Sequence, residues 1–441
     1  MQAEILVTAR WVAPVDPPRV LENHAVAIAD GRVAAVLPQA EAEESIEAAE
    51  RIALPGHLLV PGLVNAHTHA AMALLRGLAD DLPLETWLMD HIWPVEGRWV
   101  DADFVYDGAL AGAAEMLAGG VTTFADMYFF PESTIEAALK LGQRIVAGMI
   151  VIGFPSRYAA SPQEYLEKGL ALNDQYRAHP LVSCMFAPHA PYTVDTPTLQ
   201  RIASYAGETQ LPVQTHLHET AHEVAESLRE HGKRPLARLL EQGLAGPGLA
   251  AVHMTQVDDS DLDTLARHAV NVVHCPESNL KLASGFCPVA RLLDAGVNVA
   301  LGTDGAASNN DLDLIGEMRT AALLAKGVSG DPTALGATQA LHAATLGGAR
   351  ALGMADQIGS LTPGKWADMA AVDLGALRLQ PLYDPLSQLV YACGPSDVTD
   401  VWVGGERQVS DGRVKGIDSA DLASRLDHWQ QRIATTEAAH E

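Results

Sequence analysis

The chain has 441 residues and a formal charge of −26, because 55 aspartates and glutamates outnumber 29 lysines and arginines. A protein that binds nucleic acid needs clustered basic side chains, and the sequence contains no basic run. We therefore expect no nucleic acid or other polyanion as a partner. Hydrophobic residues make up 48% and charged residues 19% of the chain, a composition typical of a globular protein with a large core.

The amino-terminal stretch and the cysteines predict a location in the cytoplasm. Residues 1–18 contain an acid, Glu4, and two adjacent prolines, and they lack the pattern of a signal or transit peptide. The longest apolar run, residues 145–154, is far shorter than the ~20 residues that span a bilayer. The four cysteines are scattered without paired spacing, so neither a disulfide framework nor a zinc knuckle is expected.

The middle of the chain has the pattern of an α/β barrel. Residues 1–57 form short β segments, with an Asp30-Gly31 pair typical of a tight hairpin. Residues 58–357 then alternate short apolar, β-branched runs with helix-like stretches, which indicates repeated βα units and a parallel sheet. Eight such runs occur, and almost all end in a polar, ionisable residue. We predict a (β/α)8 TIM-type barrel with these polar residues at its carboxyl-terminal end.

The two flanks of the barrel are similar in character. Residues 358–441 return to short strands with Gly-Gly and Asp-Gly turns, and they end in a polar stretch, 419–441, that we expect to be a peripheral helix. Each flank is too small to bury a good core alone. We therefore predict that residues 1–57 and 358–441 pair into one small β-sandwich domain, with the barrel domain, residues 58–357, inserted between its halves.

Four residues at predicted strand ends are candidate metal ligands. His67 and His69 form a His-x-His pair at the first strand end, where alternate side chains share a face. His216 at the fifth strand end and Asp304 at the eighth add an imidazole and a carboxylate. Three nitrogens and one oxygen suit Zn²⁺, and Fe²⁺ accepts the same set. The fourth strand lacks a lysine that could bridge two ions, which favours one metal per chain. Such an ion lowers the pKa of water towards ~7, which predicts hydrolysis.

Other ionisable residues near these strand ends allow more than one role. Asp304 could be a ligand, a base that takes a proton from water, or both, and it could also cap a helix. Glu219 could overhang the ion as a proton shuttle or begin the next helix, where the helix dipole favours an acid. His253 could hydrogen-bond the attacking oxygen, ligate weakly or be a buried structural histidine. The roles of His218 and His222 stay open.

These residues lie within motifs that resemble a known family. The strings PGLVNAHTHAAMALLRG, HLHET, VHM, HCPESNLKLASG and GTDGAASNNDLD resemble the deaminase/chlorohydrolase branch of the amidohydrolase superfamily, over nearly the whole chain. The resemblance implies a metal-dependent barrel hydrolase that binds one zinc through His67, His69, His216 and Asp304. It also implies that Glu219, Asp304 and His253 are the catalytic residues.

Within that branch, the chain most resembles the group that deaminates 5′-methylthioadenosine and S-adenosylhomocysteine. The resemblance implies that Trp87 packs on adenine, that Glu96 holds the ribose hydroxyls and that His189 contacts the nucleoside. Some members use two arginines for the homocysteine carboxylate, whereas here Arg157 alone lies in a suitable loop, since Arg144 begins the third strand at the far end of the barrel. The implied reaction is hydrolysis at C6 of 5′-methylthioadenosine, S-adenosylhomocysteine or adenosine, giving ammonia and the inosine derivative.

Several other functions compete with this interpretation. A related deaminase or dehalogenase could act on guanine, cytosine or a chlorotriazine, but those rings have no ribose diol for Glu96 to hold. A metal-free barrel used as a binding module would lack the complete ligand set, and a phosphate-binding barrel would need a Gly-rich loop and basic residues. The sequence is compatible with a homo-oligomer and leaves the oligomeric state open.

Overall fold

The computed structural model describes residues 1–437. Eight parallel strands, paired in chain order, form one sheet: Leu63–Thr68, Val121–Asp126, Arg144–Val151, Val182–Pro188, Val213–Leu217, Leu249–His253, Asn271–His274 and Val299–Leu301. A bridge between Thr68 and Asp304 joins the last strand to the first, and the Asp304 amide donates to the His67 carbonyl oxygen at 3.1 Å. The sheet therefore closes into the predicted barrel.

Helices follow the barrel strands, and a few others lie in the two flanks. The α-helices are Gln39–Ser45, Leu84–Thr86, Trp93–Trp99, Ala102–Ala118, Pro131–Lys140, Pro162–Tyr176, Thr196–Thr209, Ala221–His231, Pro235–Glu241, Asp259–His268, Pro276–Lys281, Val289–Asp294, Ala306–Asn309, Leu314–Ser329, Ala337–His342, Gly348–Ala351, Pro385–Tyr391 and Ser419–Glu437. Shorter turns are π-helical at Trp87–Ile92 and Ala343–Gly347 and 3₁₀ at Ala70–Leu75, Leu377–Leu379 and Pro395–Asp397. The helix Ala102–Ala118 begins where its sequence indicates, because the Asp101 carboxylate caps it by accepting from the Phe104 amide at 3.0 Å.

The strands of both flanks form a second, mixed sheet. Its strands are Gln2–Val12, Leu21–Ala29, Arg32–Pro38, Glu47–Pro61, Met369–Asp373, Val398–Val403, Glu406–Ser410 and Arg413–Val414. The turn that contains Gly31 lies against the turn that contains Gly404, since a Cβ at Gly31 would lie 2.6 Å from the Gly404 carbonyl oxygen. The strands enclose a core that contains the fully buried Trp402. The predicted fold class is confirmed, while the limits of the two domains stay a prediction.

A buried ion pair ties the barrel to this second sheet. The Arg144 guanidinium donates to the two Asp368 carboxylate oxygens at 2.9 and 3.1 Å and to the Pro180 carbonyl oxygen at 2.7 Å. The Arg144 side chain is 2% exposed, so these partners replace the water that the buried guanidinium loses. Arg144 lies at the amino-terminal end of its strand, away from the ionisable strand ends, as expected.

The last described helix is polar and mostly exposed, as expected of a peripheral helix, but two of its residues anchor it to the barrel. Within Ser419–Glu437, Trp429 and Ile433 are each 3% exposed and pack with Phe104. The Trp429 indole N–H also donates to an Asp107 carboxylate oxygen at 2.9 Å. Two apolar residues four positions apart share one helix face, which explains the burial. Residues 438–441 of the predicted helix lie outside the described residues. Among residues 1–437, no helix has both the length and the apolar character needed to cross a membrane.

Candidate active site

The carboxyl-terminal ends of the barrel strands bring the candidate metal ligands together. One donor atom each from His67, His216, His253 and Asp304 lies within 4.8 Å of the other three. The His67 Nε2 atom is 3.1 Å from His216 Nε2 and 3.4 Å from Asp304 Oδ1. His69 Nε2 lies 3.1 Å from the same Asp304 oxygen. His67, His216, His253 and Asp304 therefore converge on one point, and the fourth predicted ligand, His69, lies beside them through its contact with Asp304.

The histidine rings are oriented by oxygen atoms behind them. The Nδ1 atom of His67 lies 2.7 Å from Gln214 Oε1, and that of His253 lies 2.9 Å from Asn279 Oδ1. The Nδ1 atoms of His69 and His216 face backbone carbonyl oxygens, those of Met127 at 2.6 Å and of His189 at 2.7 Å. Because these oxygens accept, each Nδ1 carries a proton, and each Nε2 presents a lone pair whenever its ring is neutral. Lone pairs that converge in a buried site repel one another unless a cation lies between them, so the residues fit a metal ion.

Asp304 makes the same site attractive to positive charge. Its Oδ2 atom accepts from the Ser278 and Ser308 hydroxyls at 2.7 Å each, which leaves Oδ1 facing the histidines. Burial opposes ionisation of Asp304, but hydrogen bonds from His67 and His69 outweigh burial and hold its pKa well below the usual range. Burial also lowers the pKa of His69, yet the hydrogen bond to Asp304 reverses this effect and raises that pKa to about 9. A proton on a neighbouring histidine or a metal ion compensates the negative charge of this carboxylate.

Glu219 lies beside the cluster and is 7% exposed. Its Oε2 atom is 3.8 Å from His253 Nε2. Burial, reinforced by the negative charge of Asp304, raises the pKa of Glu219 to about 8. The carboxyl group therefore keeps its proton at neutral pH, which suits a general acid.

The turn that carries Glu219 is held by another buried acid. The Glu223 carboxylate accepts from the Glu219 amide at 2.7 Å and from the His218 amide at 3.1 Å. Thr220 caps the helix Ala221–His231 by accepting from the Glu223 amide at 3.2 Å. Glu219 thus precedes the helix and points over the strand end.

The structure places the two remaining histidines of this region away from the cluster. His218 has a φ of 52°, which breaks the strand alternation that would have aligned it with His216. Its Nε2 atom accepts from the Leu236 amide at 3.0 Å, and burial lowers its pKa to about 4. His222 is on the surface, 4.0 Å from a Glu85 carboxylate oxygen, with a side chain 64% exposed.

A cavity of about 250 Å³ extends from the cluster towards the helices Leu84–Thr86 and Trp93–Trp99. Trp87 and Glu96 line it, together with His189. Burial raises the pKa of Glu96 to about 7, and the Tyr128 hydroxyl donates to its Oε1 atom at 2.6 Å.

His189 and Arg157 line the same cavity, and each has its own hydrogen-bond partners. The His189 Nδ1 atom is 2.9 Å from the Thr193 hydroxyl, and burial lowers the pKa of His189 to about 3, so the ring is neutral. The Arg157 guanidinium donates to the Arg98 carbonyl oxygen at 3.1 Å and to an Asp101 carboxylate oxygen at 3.4 Å. The surrounding wall is apolar and contains Trp93, Phe129, Phe130, Ile152, Phe154 and Pro155.

Sequence reasoning missed the residues that orient the site. Gln214, Tyr128, Ser278, Asn279 and Glu223 each contact a predicted site residue. Gln214 precedes His216 by two positions and so shares its strand face, which is a usable signal. The others lie in loops or helices whose contacts depend on tertiary structure.

Comparison with known families identifies the class of protein. The model of the amidohydrolase family matches residues 58–407. The chain therefore belongs to the amidohydrolase family, and the predicted class of hydrolytic enzyme is confirmed.

Individual relatives of known name are similar to this chain over nearly its whole length. A protein of Teredinibacter turnerae named 5-methylthioadenosine/S-adenosylhomocysteine deaminase is 49% identical over 96% of each chain. The crystal structure of an adenosine deaminase from Xanthomonas campestris with bound zinc is 50% identical, with a TM-score of 0.97 over 98% of this chain and 99% of that one. The zinc complex of atrazine chlorohydrolase from Arthrobacter aurescens is 25% identical, with a TM-score of 0.90 over 97% and 100% of the chains.

Proposed function

We propose that the protein is a zinc-dependent hydrolase that deaminates adenine nucleosides to inosine derivatives and ammonia. One observation carries the proposal: the cavity has a histidine–carboxylate cluster with the buried Glu219 at one end and the buried Glu96 carboxylate at the other. Relatives similar over nearly the whole chain are named for deamination of such nucleosides.

The chain's own residues supply the proton transfers. His67, His69, His216 and Asp304 would hold zinc, which would supply a Lewis acid that lowers the pKa of the water that attacks C6 of the adenine ring. Glu219 donates its proton to N1 as the attack proceeds. Asp304 accepts one water proton through Oδ1 and passes it to the departing amine. As the C6 carbonyl forms, the other water proton returns to Glu219, so ammonia and the inosine product leave with all atoms accounted for.

Other residues orient the reactants. Asn279 holds the His253 ring at 2.9 Å, which aims His253 Nε2 at the attacking oxygen. Trp87 offers an aromatic face to the purine. The Glu96 carboxylate accepts two hydrogen bonds from the ribose cis-diol, and neutral His189 contacts the nucleoside through Nε2.

The wall near Arg157 favours an uncharged 5′ substituent. Arg157 is already paired with Asp101, and the neighbouring side chains Trp93, Phe130 and Phe154 are aromatic. A homocysteine tail would bring a carboxylate and an ammonium group that lose water without gaining partners. We therefore place 5′-methylthioadenosine and adenosine ahead of S-adenosylhomocysteine as substrates.

The enzyme acts in the cytoplasm on a small molecule. All four cysteines are free and buried, which suits a reducing compartment. The cavity is of a size for a nucleoside and lies within one chain. Size-exclusion chromatography determines whether the chain forms a homo-oligomer.

The test is loss of adenine absorbance with adenosine, 5′-methylthioadenosine and S-adenosylhomocysteine, using enzyme of measured zinc content. Guanine and a chlorotriazine are assayed in parallel by product detection. Turnover of the adenosine series, abolished in Glu219→Gln, supports the proposal. Turnover of guanine or the chlorotriazine without any turnover of the three nucleosides overturns it.

A further inference from the structure

Tyr128 lies between the two ends of the cavity, directly after the barrel strand Val121–Asp126. It is 4% exposed, and its hydroxyl donates to Glu96 Oε1 at 2.6 Å. The preceding residue, Met127, accepts from His69 Nδ1 through its carbonyl oxygen at 2.6 Å. Two consecutive residues therefore hold a metal ligand and the carboxylate at the nucleoside end.

This two-residue segment is itself fixed to the barrel. The Met127 amide donates to the Thr68 carbonyl oxygen at 2.9 Å. Glu96, in contrast, is on the helix Trp93–Trp99, which follows a π-helical turn and lies outside the barrel. In the described part of the chain, the Tyr128 hydroxyl is the hydrogen-bond donor found for the Glu96 carboxylate. The position of that carboxylate relative to the reacting atoms thus depends on Tyr128.

We propose that Tyr128 is a positioning residue: it holds the Glu96 carboxylate where that group can accept both ribose hydroxyls and so sets the distance between the ribose and the reacting ring. This inference rests on the proposed function. The phenol occupies one lone pair of Oε1, which leaves Oε2 and the second Oε1 lone pair for a cis-diol. A nucleoside without the diol gains nothing from this arrangement.

The test measures binding of products, which needs no turnover. Calorimetry gives Kd values for inosine and 2′,3′-dideoxyinosine, and their ratio reports recognition of the diol. The variants are Tyr128→Phe, Glu96→Gln, the double variant and Tyr165→Phe. Tyr165 is the matched control, since it is fully buried and its hydroxyl donates to Ser156 at 2.6 Å.

We expect wild type to prefer inosine and Tyr128→Phe to reduce that preference about tenfold. In the Glu96→Gln background, Tyr128→Phe has no further effect, because the carboxylate that Tyr128 positions is gone. Tyr165→Phe keeps the wild-type preference. An unchanged preference in Tyr128→Phe, or an equal loss in both backgrounds, overturns the inference.

A second variant leaves Tyr128 intact, in case its replacement prevents folding. Glu96→Asp keeps the charge but draws the carboxylate back from the Tyr128 hydroxyl, so it loses the preference for inosine as Glu96→Gln does. A wild-type preference in Glu96→Asp contradicts the inference. Failure of the proposed function has a different result, because wild type then neither deaminates adenosine nor binds inosine.

Discussion

The two ends of the cavity are built in different ways. At the metal end, His67, His216 and Asp304 lie on or directly after barrel strands, and other residues of the barrel orient them. At the nucleoside end, Glu96 is on a helix outside the barrel and is tied to it through Tyr128. Rigid strand ends thus hold the chemistry, while an added helical segment holds specificity. Substitutions at the metal end should therefore lower kcat, and substitutions at the nucleoside end should raise KM.

Loss of the proton donor at the metal end should reduce activity most. Glu219→Gln removes the proton donor but keeps its shape, so kcat falls by about a thousandfold. KM and the zinc content stay near their wild-type values, because Glu219 is not a ligand in this proposal. Steady-state kinetics and elemental analysis of the purified variant check both. Loss of zinc would assign Glu219 to the metal site and contradict the division of roles.

Substitution of Glu223, which accepts from the Glu219 amide, should reduce kcat less. Glu223→Gln replaces one acceptor oxygen by an amide group, so it cannot accept from both the His218 and Glu219 amides. The turn then places Glu219 less well, and kcat falls about tenfold with little change in KM. Glu226→Gln is the matched control, since Glu226 is on the same helix and pairs with Arg229. Equal kcat in Glu223→Gln and wild type would show that the turn needs no such support.

The two ends also differ in how far the sequence predicts them. Spacing of residues at strand ends located His67, His69, His216 and Asp304 together, because carboxyl ends of parallel strands meet in a barrel. The interaction of Tyr128 with Glu96 was not predictable, since it joins a strand end to a helix 32 positions earlier in the chain.

Local backbone conformation and burial account for other differences. Strand periodicity could not predict which way the His218 side chain faces, because the positive φ of His218 breaks the strand alternation. The helix Ser419–Glu437 is peripheral as expected, but the sequence analysis did not single out Trp429 and Ile433, whose spacing marks its buried face. The barrel and the mixed sheet from the flanks, in contrast, follow from hydrophobic pattern and turn residues alone.

The pH dependence separates the two ends without a mutation. Burial raises the pKa of Glu96 to about 7, so the group is mostly protonated below that pH and mostly ionised above it. Only the ionised form has no O–H of its own, so only that form can use both carboxylate oxygens to accept from the ribose hydroxyls. The ratio of kcat/KM for adenosine to that for 2′,3′-dideoxyadenosine should therefore rise severalfold between about pH 6 and 8.

Taking this ratio removes the ionisations at the metal end, since Glu219 and the attacking water act equally on both substrates. Glu96→Gln is the control, and its ratio should be independent of pH. A flat ratio in wild type would mean that Glu96 does not read the diol through its charge, and the nucleoside end would then need another recognition group.

The smallest expected effect is at Arg157, and it tests whether the nucleoside end is complete for a charged tail. The Arg157 guanidinium is 46% exposed and paired with Asp101, so Arg157→Ala should change kcat/KM for S-adenosylhomocysteine by less than about twofold. Asp101→Asn removes the competing charge while the asparagine still caps the helix Ala102–Ala118. That variant frees Arg157 and should raise the activity on S-adenosylhomocysteine relative to 5′-methylthioadenosine. A large loss in Arg157→Ala would instead mean that the guanidinium leaves Asp101 for the substrate, and the apolar wall would then no longer explain the choice of 5′ substituent.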